Sequence, residues 1–335
     1  MTLKIAIYGY DSDVGKLVLE TMEEEHFEVK DLIPLSPLSG EFDAVTLNGK
    51  NYMIRSVNEF DFKDADVALF LTTADESERL VPEARESGCI VIDVSGFFSA
   101  DQSVSTVLPE LNPYEVPRGM ETGLLIPASS SATLTALTLS PLADEFGIER
   151  ASACIMQSVS EQGRVGTETL AHETVRLLNG LEGEHYGFDA QVAFNLFSHT
   201  GKVDDDGYSA GERIIAEQTQ RVLGRMNGGL DVTCLQVPVF YGHTAVIHVD
   251  LSASTTVDEV KESLKSAPGI EFRNNELITT VENAVNERKI LVTRVKAHGR
   301  SGKSYSFIAM MDNSRRGEAV NVVELLKLVS KERSS

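Results

Sequence analysis

Leu3-Lys4-Ile5-Ala6-Ile7-Tyr8-Gly9-Tyr10-Asp11-Ser12-Asp13-Val14-Gly15 begins with a short apolar run, crosses a turn carrying two glycines, and enters a helical pattern through Leu17, Val18, Leu19 and Met22. Strand, glycine-containing turn and helix in that order open a dinucleotide-binding unit, because glycines let backbone N–H groups approach a pyrophosphate closely. Gly9, Ser12, Asp13, Val14 and Gly15 are the residues expected at such a site. Ser12 stands where a middle glycine would be, and Asp11 and Asp13 flank it, so an anion entering the turn meets like charge. The competing reading is a βα turn that caps its helix with Asp11 or Asp13 and holds no ligand.

Outward from this unit the strand–helix alternation continues. Val29 to Leu35 reads as a strand ending at Pro37-Leu38-Ser39-Gly40, and Val67 to Leu71 and Cys89 to Val94 as strands buried on both faces. A helix is expected over Glu76 to Ser87, closed by Gly88. This grammar predicts an α/β fold with a Rossmann-like, doubly wound parallel sheet. After Pro141 the pattern changes. Long strand-like runs (Ala151 to Val159, Cys234 to Asp250 broken by Gly242-His243, Lys289 to Val295, Ser304 to Met311) alternate with separated helices, among them Thr167 to Leu178 and a capped one after Ser209. The expectation is a C-terminal α+β domain over 132–315, with 1–131 and 316–335 forming the Rossmann-like part.

The join between the two is Ile126-Pro127-Ala128-Ser129-Ser130-Ser131-Ala132-Thr133-Leu134. Serines ahead of a helical apolar run supply N-capping oxygens, and a helix N-terminus also stabilises negative charge. A nucleophile could sit here, yet the chain offers only hydroxyls.

Composition narrows the function classes. The net charge of −21 is spread along the chain, which argues against nucleic acid and anionic membrane as partners. No apolar run has the length of a membrane span, and a cytoplasmic location is expected. Cys89, Cys154 and Cys234 lie far apart in apolar contexts and read as buried small hydrophobes. No metal-ligand spacing is present; Lys202 to Gly207 lacks the full calcium-loop pattern. Arg315-Arg316 reads as a surface pair ahead of the final helix, which is expected from Gly317 to Val329; the alternative is that Arg315 serves an anion.

Several segments together resemble the aspartate-semialdehyde dehydrogenase family. They are Gly9 to Gly15, Val91-Ile92-Asp93, Val107 to Asn112, Pro127 to Leu142, Gln157-Ser158-Val159-Ser160, Ala193-Phe194-Asn195, Val237 to His243, and Asp312-Asn313 with Gly317 to Asn321. They follow the family's order across nearly the whole chain. The resemblance implies NADP-dependent, phosphate-coupled aldehyde chemistry through a cysteine, a homodimer formed by the second domain, and Gly163 and Asn321 as further cofactor contacts.

Residue by residue the chain departs from that pattern. The family's nucleophilic cysteine falls on Ser130, give or take one position. Its substrate-orienting glutamine matches Gln157, and its acid/base histidine matches His243. The arginine that grips the substrate carboxylate falls on Gln236, and the glutamate that meets the substrate's amino group on Gln218 or neighbouring Glu217. A phosphate-binding arginine falls on Ser99. The arginine for the NADP 2′-phosphate falls on Pro37-Leu38, and a glycine beside the cofactor on Glu161. Each loss removes a thiolate, a positive charge or backbone room that an anionic ligand requires. The chain also resembles the usg-type paralogues of the family, which lack the thiol. Two functions follow as expectations: a relative without dehydrogenase activity, or an NAD(P)-dependent oxidoreductase that uses His243 and Gln157 on another carbonyl substrate.

Overall fold

The computed structural model describes residues 2–37, 43–224 and 226–334. In chain order the elements are β1 (Leu3–Tyr8), α1 (Asp13–Glu24), β2 (Val29–Ser36), β3 (Ala44–Leu47), β4 (Lys50–Met53), β5 (Arg55–Ser56), β6 (Val67–Phe70), α2 (Ala74–Glu86), β7 (Ile90–Asp93), β8 (Ser105–Val107), α3 (Val116–Thr122) and β9 (Leu124–Pro127). They continue with α4 (Ser130–Phe146), β10 (Ile148–Gln157), α5 (Gly163–Leu178), α6 (Ala210–Leu223), β11 (Leu230–Gln236), β12 (His243–Leu251), α7 (Val257–Ser266), β13 (Ile270–Arg273), β14 (Ile290–His298), β15 (Ser304–Met311) and α8 (Val320–Glu332). Two compact units result, Met1–Ser129 with Glu318–Ser335, and Ser130–Gly317.

The first unit holds a seven-stranded parallel sheet in the order β5-β2-β1-β6-β7-β9-β8. Successive side chains of β1 alternate between its faces: Leu3, Ile5 and Ile7 pack with residues of α1 and α8, and Ala6 and Tyr8 with residues of α2. Helices therefore cover both faces, as the unbroken apolar strands require. The β3–β4 hairpin carries no distinguishing apolar run and was not expected from the sequence. Leu38, Ser39 and Gly40 of the expected strand ending lie outside the described residues.

Gly9 is fixed by geometry. Its φ is +88°, and a Cβ there would lie 2.1 Å from the carbonyl oxygen of Leu71. Ser12, rather than Asp11 or Asp13, caps α1: its Oγ accepts the N–H of Gly15 at 2.9 Å and donates to the carbonyl of Gly9 at 2.7 Å. Only Ser12 combines extended backbone with a side chain reaching the third residue beyond it.

The second unit is built on a mixed six-stranded sheet, β11-β10-β12-β15-β14-β13. β10 runs parallel to β11 and antiparallel to β12; β15 is antiparallel to both β12 and β14. The break expected at Gly242-His243 in the run Cys234 to Asp250 falls in the turn between β11 and β12. Along β10, Ala151, Ala153 and Ile155 are buried while Ser152, Cys154 and Met156 are half-buried, so one face of the sheet is covered and the other is open. Cys154 lies on the open face, not in the core.

α4 packs against β10, β12, β14 and β15 and against α6 and α7. Every residue from Ser130 to Leu139 is buried, which accounts for a helix that is apolar on all sides. Two of its buried hydroxyls are satisfied within the helix: Thr135 donates to the carbonyl of Ser131 and Thr138 to that of Leu134, both at 2.8 Å.

Arg315 and Arg316 are not a surface pair; both are buried. They begin a π-turn, Arg315–Ala319, whose first N–H is accepted by Asp312 Oδ1 at 2.8 Å. α8 consequently starts at Val320, three residues later than the pattern suggests.

Candidate active site

α4 presents Ser130 as its first residue, with the side chain buried. The hydroxyl of Ser130 donates to Glu161 Oε2 at 3.1 Å. That same oxygen meets His243 Nε2 at 2.8 Å. Glu161 lies in the 3₁₀ turn Val159–Gln162 after β10, and His243 is the fully buried first residue of β12. Two elements at neighbouring strand ends therefore bring a carboxylate and an imidazole onto the start of α4.

The imidazole is held on both sides. The backbone N–H of Ser158 points at His243 Nδ1 at 3.3 Å, so Nδ1 accepts and Nε2 carries the proton donated to Glu161. Asn313 Oδ1 fixes the surrounding backbone, accepting from Ser158 Oγ at 3.2 Å, Ser160 Oγ at 3.1 Å and the N–H of Gly242 at 2.8 Å. Burial works to raise the Glu161 pKa. The electrostatic pull of the His243 ring and the hydrogen bonds from His243 and Ser130 outweigh it, and hold the carboxyl below its ordinary value.

A second layer connects the remaining polar residues. Gln157 Nε2 donates to Ser131 Oγ at 3.0 Å, and its Oε1 accepts from Thr200 Oγ1 at 3.2 Å. Gln236 turns its amide nitrogen onto the Gln157 carbonyl at 2.8 Å and, more weakly, the Val237 carbonyl at 3.4 Å. Gln218 is buried on α6 while Glu217 lies on that helix's exposed side, so Gln218 is the inward residue of the two. Gly163 starts α5 with φ +60°.

The other sequence-predicted residues belong to the first unit. Gly9, Ser12, Asp13, Val14 and Gly15 form the β1–α1 turn, and Asn321 is buried in α8. The two glycines of the turn are required by the chain's own packing. A Cβ at Gly15 would come within 2.1 Å of the Gly9 carbonyl oxygen. Ser99 is buried, and its N–H is taken by the carbonyl of Gly96.

Comparison with known proteins agrees with this architecture. The family model described as semialdehyde dehydrogenase, NAD binding domain, matches residues 4–118, and the one described as semialdehyde dehydrogenase, dimerisation domain, matches 139–316. The chain is 32% identical to aspartate-semialdehyde dehydrogenase 2 of Vibrio cholerae, across 97% of both chains. The chain belongs to the aspartate-semialdehyde dehydrogenase family. It is also 30% identical to a USG-1 protein homolog of Azotobacter vinelandii over 98% of both chains. The crystal structure of aspartate semialdehyde dehydrogenase II from Vibrio cholerae superposes with a TM-score of 0.93 at 31% identity, covering 99% of each chain.

Within this member of the aspartate-semialdehyde dehydrogenase family, sequence reasoning missed the role of Glu161. The resemblance places it where the family has a glycine beside the cofactor; in the structure its side chain joins Ser130 and His243. Nothing in the local sequence signals that contact, because the partners lie 31 and 82 residues away. Thr200 emerges only through the fold, which also supplies the contacts of Asn313, a residue of one of the resembling segments. Burial pushes the Cys89 thiol up to about 12, and raises Cys154 and Cys234 as well.

Proposed function

We propose that the chain is a member of the aspartate-semialdehyde dehydrogenase family without dehydrogenase activity, a homodimeric scaffold whose reactive centre is filled by its own carboxylate. The observation that carries this reading is the double contact of Glu161 Oε2 with Ser130 and His243. Chemistry of the kind implied by the resemblance needs a thiolate that adds to an aldehyde, supports hydride loss and then leaves from a thioester. A serine hydroxyl is far less acidic than a thiol, and its ester is a poorer acyl donor. The proton on His243 Nε2 is already given to Glu161, so the imidazole has no donor left for a substrate oxygen.

The β1–α1 turn supports the same conclusion for NADP. Ser12 consumes the N–H of Gly15 as its own helix cap, and Asp11 and Asp13 flank the turn. A dianionic pyrophosphate is disfavoured in such a turn, where one donor is already used and the neighbouring charges are negative. Pro37 offers no charge to a 2′-phosphate, and Leu38 lies outside the described residues. The open face of the six-stranded sheet, with half-buried Cys154, Met156, Val246, Ile308 and Met310, supports pairing with a second copy.

The alternative, an oxidoreductase using His243 and Gln157 on another carbonyl compound, requires a free imidazole donor and a bound nicotinamide. Thermal unfolding with NADP, NADPH, NAD or NADH at millimolar concentration separates the two. The proposed reading predicts no rise in melting temperature with any of them; a saturable rise restores the oxidoreductase reading.

A further inference from the structure

Beside the serine–glutamate–histidine cluster, the second unit contains a cleft of about 520 Å³, walled among others by Phe188, Asp189, Phe197, His199, Thr200 and Gln236. This volume suits a small organic molecule. It is joined to the cluster through Thr200, whose hydroxyl donates to Gln157, and through Gln236, which donates to the Gln157 carbonyl.

The polar groups of the cleft are matched in kind. The Gln236 amide nitrogen is committed to two backbone carbonyls, so the group left to a ligand is its acceptor oxygen Oε1. His199 Nδ1 faces the carbonyl of Gly201 at 2.9 Å and therefore donates to it. That leaves Nε2 as the ring nitrogen open to a ligand. The proton of Thr200 is used on Gln157, which leaves its oxygen lone pairs. Asp189 adds an exposed carboxylate, and no lysine or arginine is present among the described residues of the wall. Phe188 and Phe197 stand edge to face, their centroids 6.1 Å apart. Aromatic rings in the wall beside a carboxylate suit the alkyl stem and charge of an organic cation, and carbonyl-type oxygens suit its N–H groups.

We propose that this cleft binds a small organic cation bearing N–H donors, an alkylammonium or alkylguanidinium, and excludes carboxylates. The proposal rests on the reading that the chain does not process a semialdehyde, and it assigns the cleft a ligand of opposite charge to the family's substrate carboxylate. Gln236 is the determinant on one side and Asp189 on the other.

Calorimetric titration of the full chain with n-butylamine, n-butylguanidine and the chain-matched anion butyrate tests it. At least one of the cations is expected to bind, and butyrate is not. Asp189→Asn, an exposed change that leaves the core intact, should weaken cation binding by about two- to fivefold, the loss expected for one solvent-exposed ion pair. Binding of butyrate, absence of binding by both cations, or cation binding unchanged in Asp189→Asn overturns the proposal. Dehydrogenase turnover is scored separately: turnover would end the silent reading, whereas a chain that neither turns over nor binds a cation ends only this one.

Discussion

The carboxylate of Glu161 meets the imidazole of His243 at 2.8 Å, and the hydroxyl of Ser130 approaches the same oxygen at 3.1 Å. The Glu161 side chain is only 28% exposed and that of His243 not at all. A carboxylate whose folded pKa is depressed stabilises the fold above its unfolded value, and loses that contribution as pH falls through the folded one. Wild-type stability should therefore drop as pH falls below the reference carboxylate value of 4.5. Glu161→Gln should flatten that drop and cost about 2 kcal/mol near neutral pH, the range for hydrogen bonds to a charged group. Urea midpoints from pH 3 to 7 for both proteins measure it; parallel curves would show that the contact contributes nothing.

Glu173 pins the segment that walls the cleft. This fully buried carboxylate of α5 accepts the N–H groups of Val192 and Ala193 at 2.7 and 2.8 Å and also contacts His185 Nδ1. Glu173→Ala leaves two buried donors unanswered and should cost about 3 kcal/mol. The cost should appear in the urea midpoint and as faster proteolysis within residues 181–200. Unchanged cleavage there would mean that the segment is held by other contacts.

The β1–α1 turn separates two kinds of glycine. Gly9→Ala forces a Cβ into the Leu71 carbonyl at a positive φ and should cost about 3 kcal/mol or more. Gly180 has a comparable φ of +73° with nothing within 4 Å. Gly180→Ala should cost about 1 kcal/mol, the left-handed penalty alone. Ser12→Ala, which removes the cap, should likewise cost about 1 kcal/mol. Comparable losses at Gly9 and Gly180 would show that the turn relaxes away from Leu71.

The parallel sheet was legible because Leu3 to Tyr8, Val67 to Leu71 and Cys89 to Val94 are continuous apolar runs, and burial on both faces demands such runs. The second unit was legible as alternating long strands and capped helices; Ser209 and Thr256 both close capping boxes in the structure. The short hairpin β3–β4 and strand β13 carry too few residues to show a period. Arg315 and Arg316 misled because charge usually marks a surface, whereas here Asp312 folds the backbone back and buries both. The centre itself was half legible. Ser130, Gln157 and His243 could be placed by resemblance, but the partner that joins Ser130 to His243 is a residue whose position in sequence pointed elsewhere.

The most direct measurement is the absorbance at 340 nm of the purified chain with aspartate semialdehyde, phosphate and NADP, run beside Ser130→Ala. The proposed reading predicts no phosphate-dependent NADPH formation above buffer, and the same baseline for both proteins. Phosphate-dependent turnover by the wild-type chain that Ser130→Ala abolishes would contradict it.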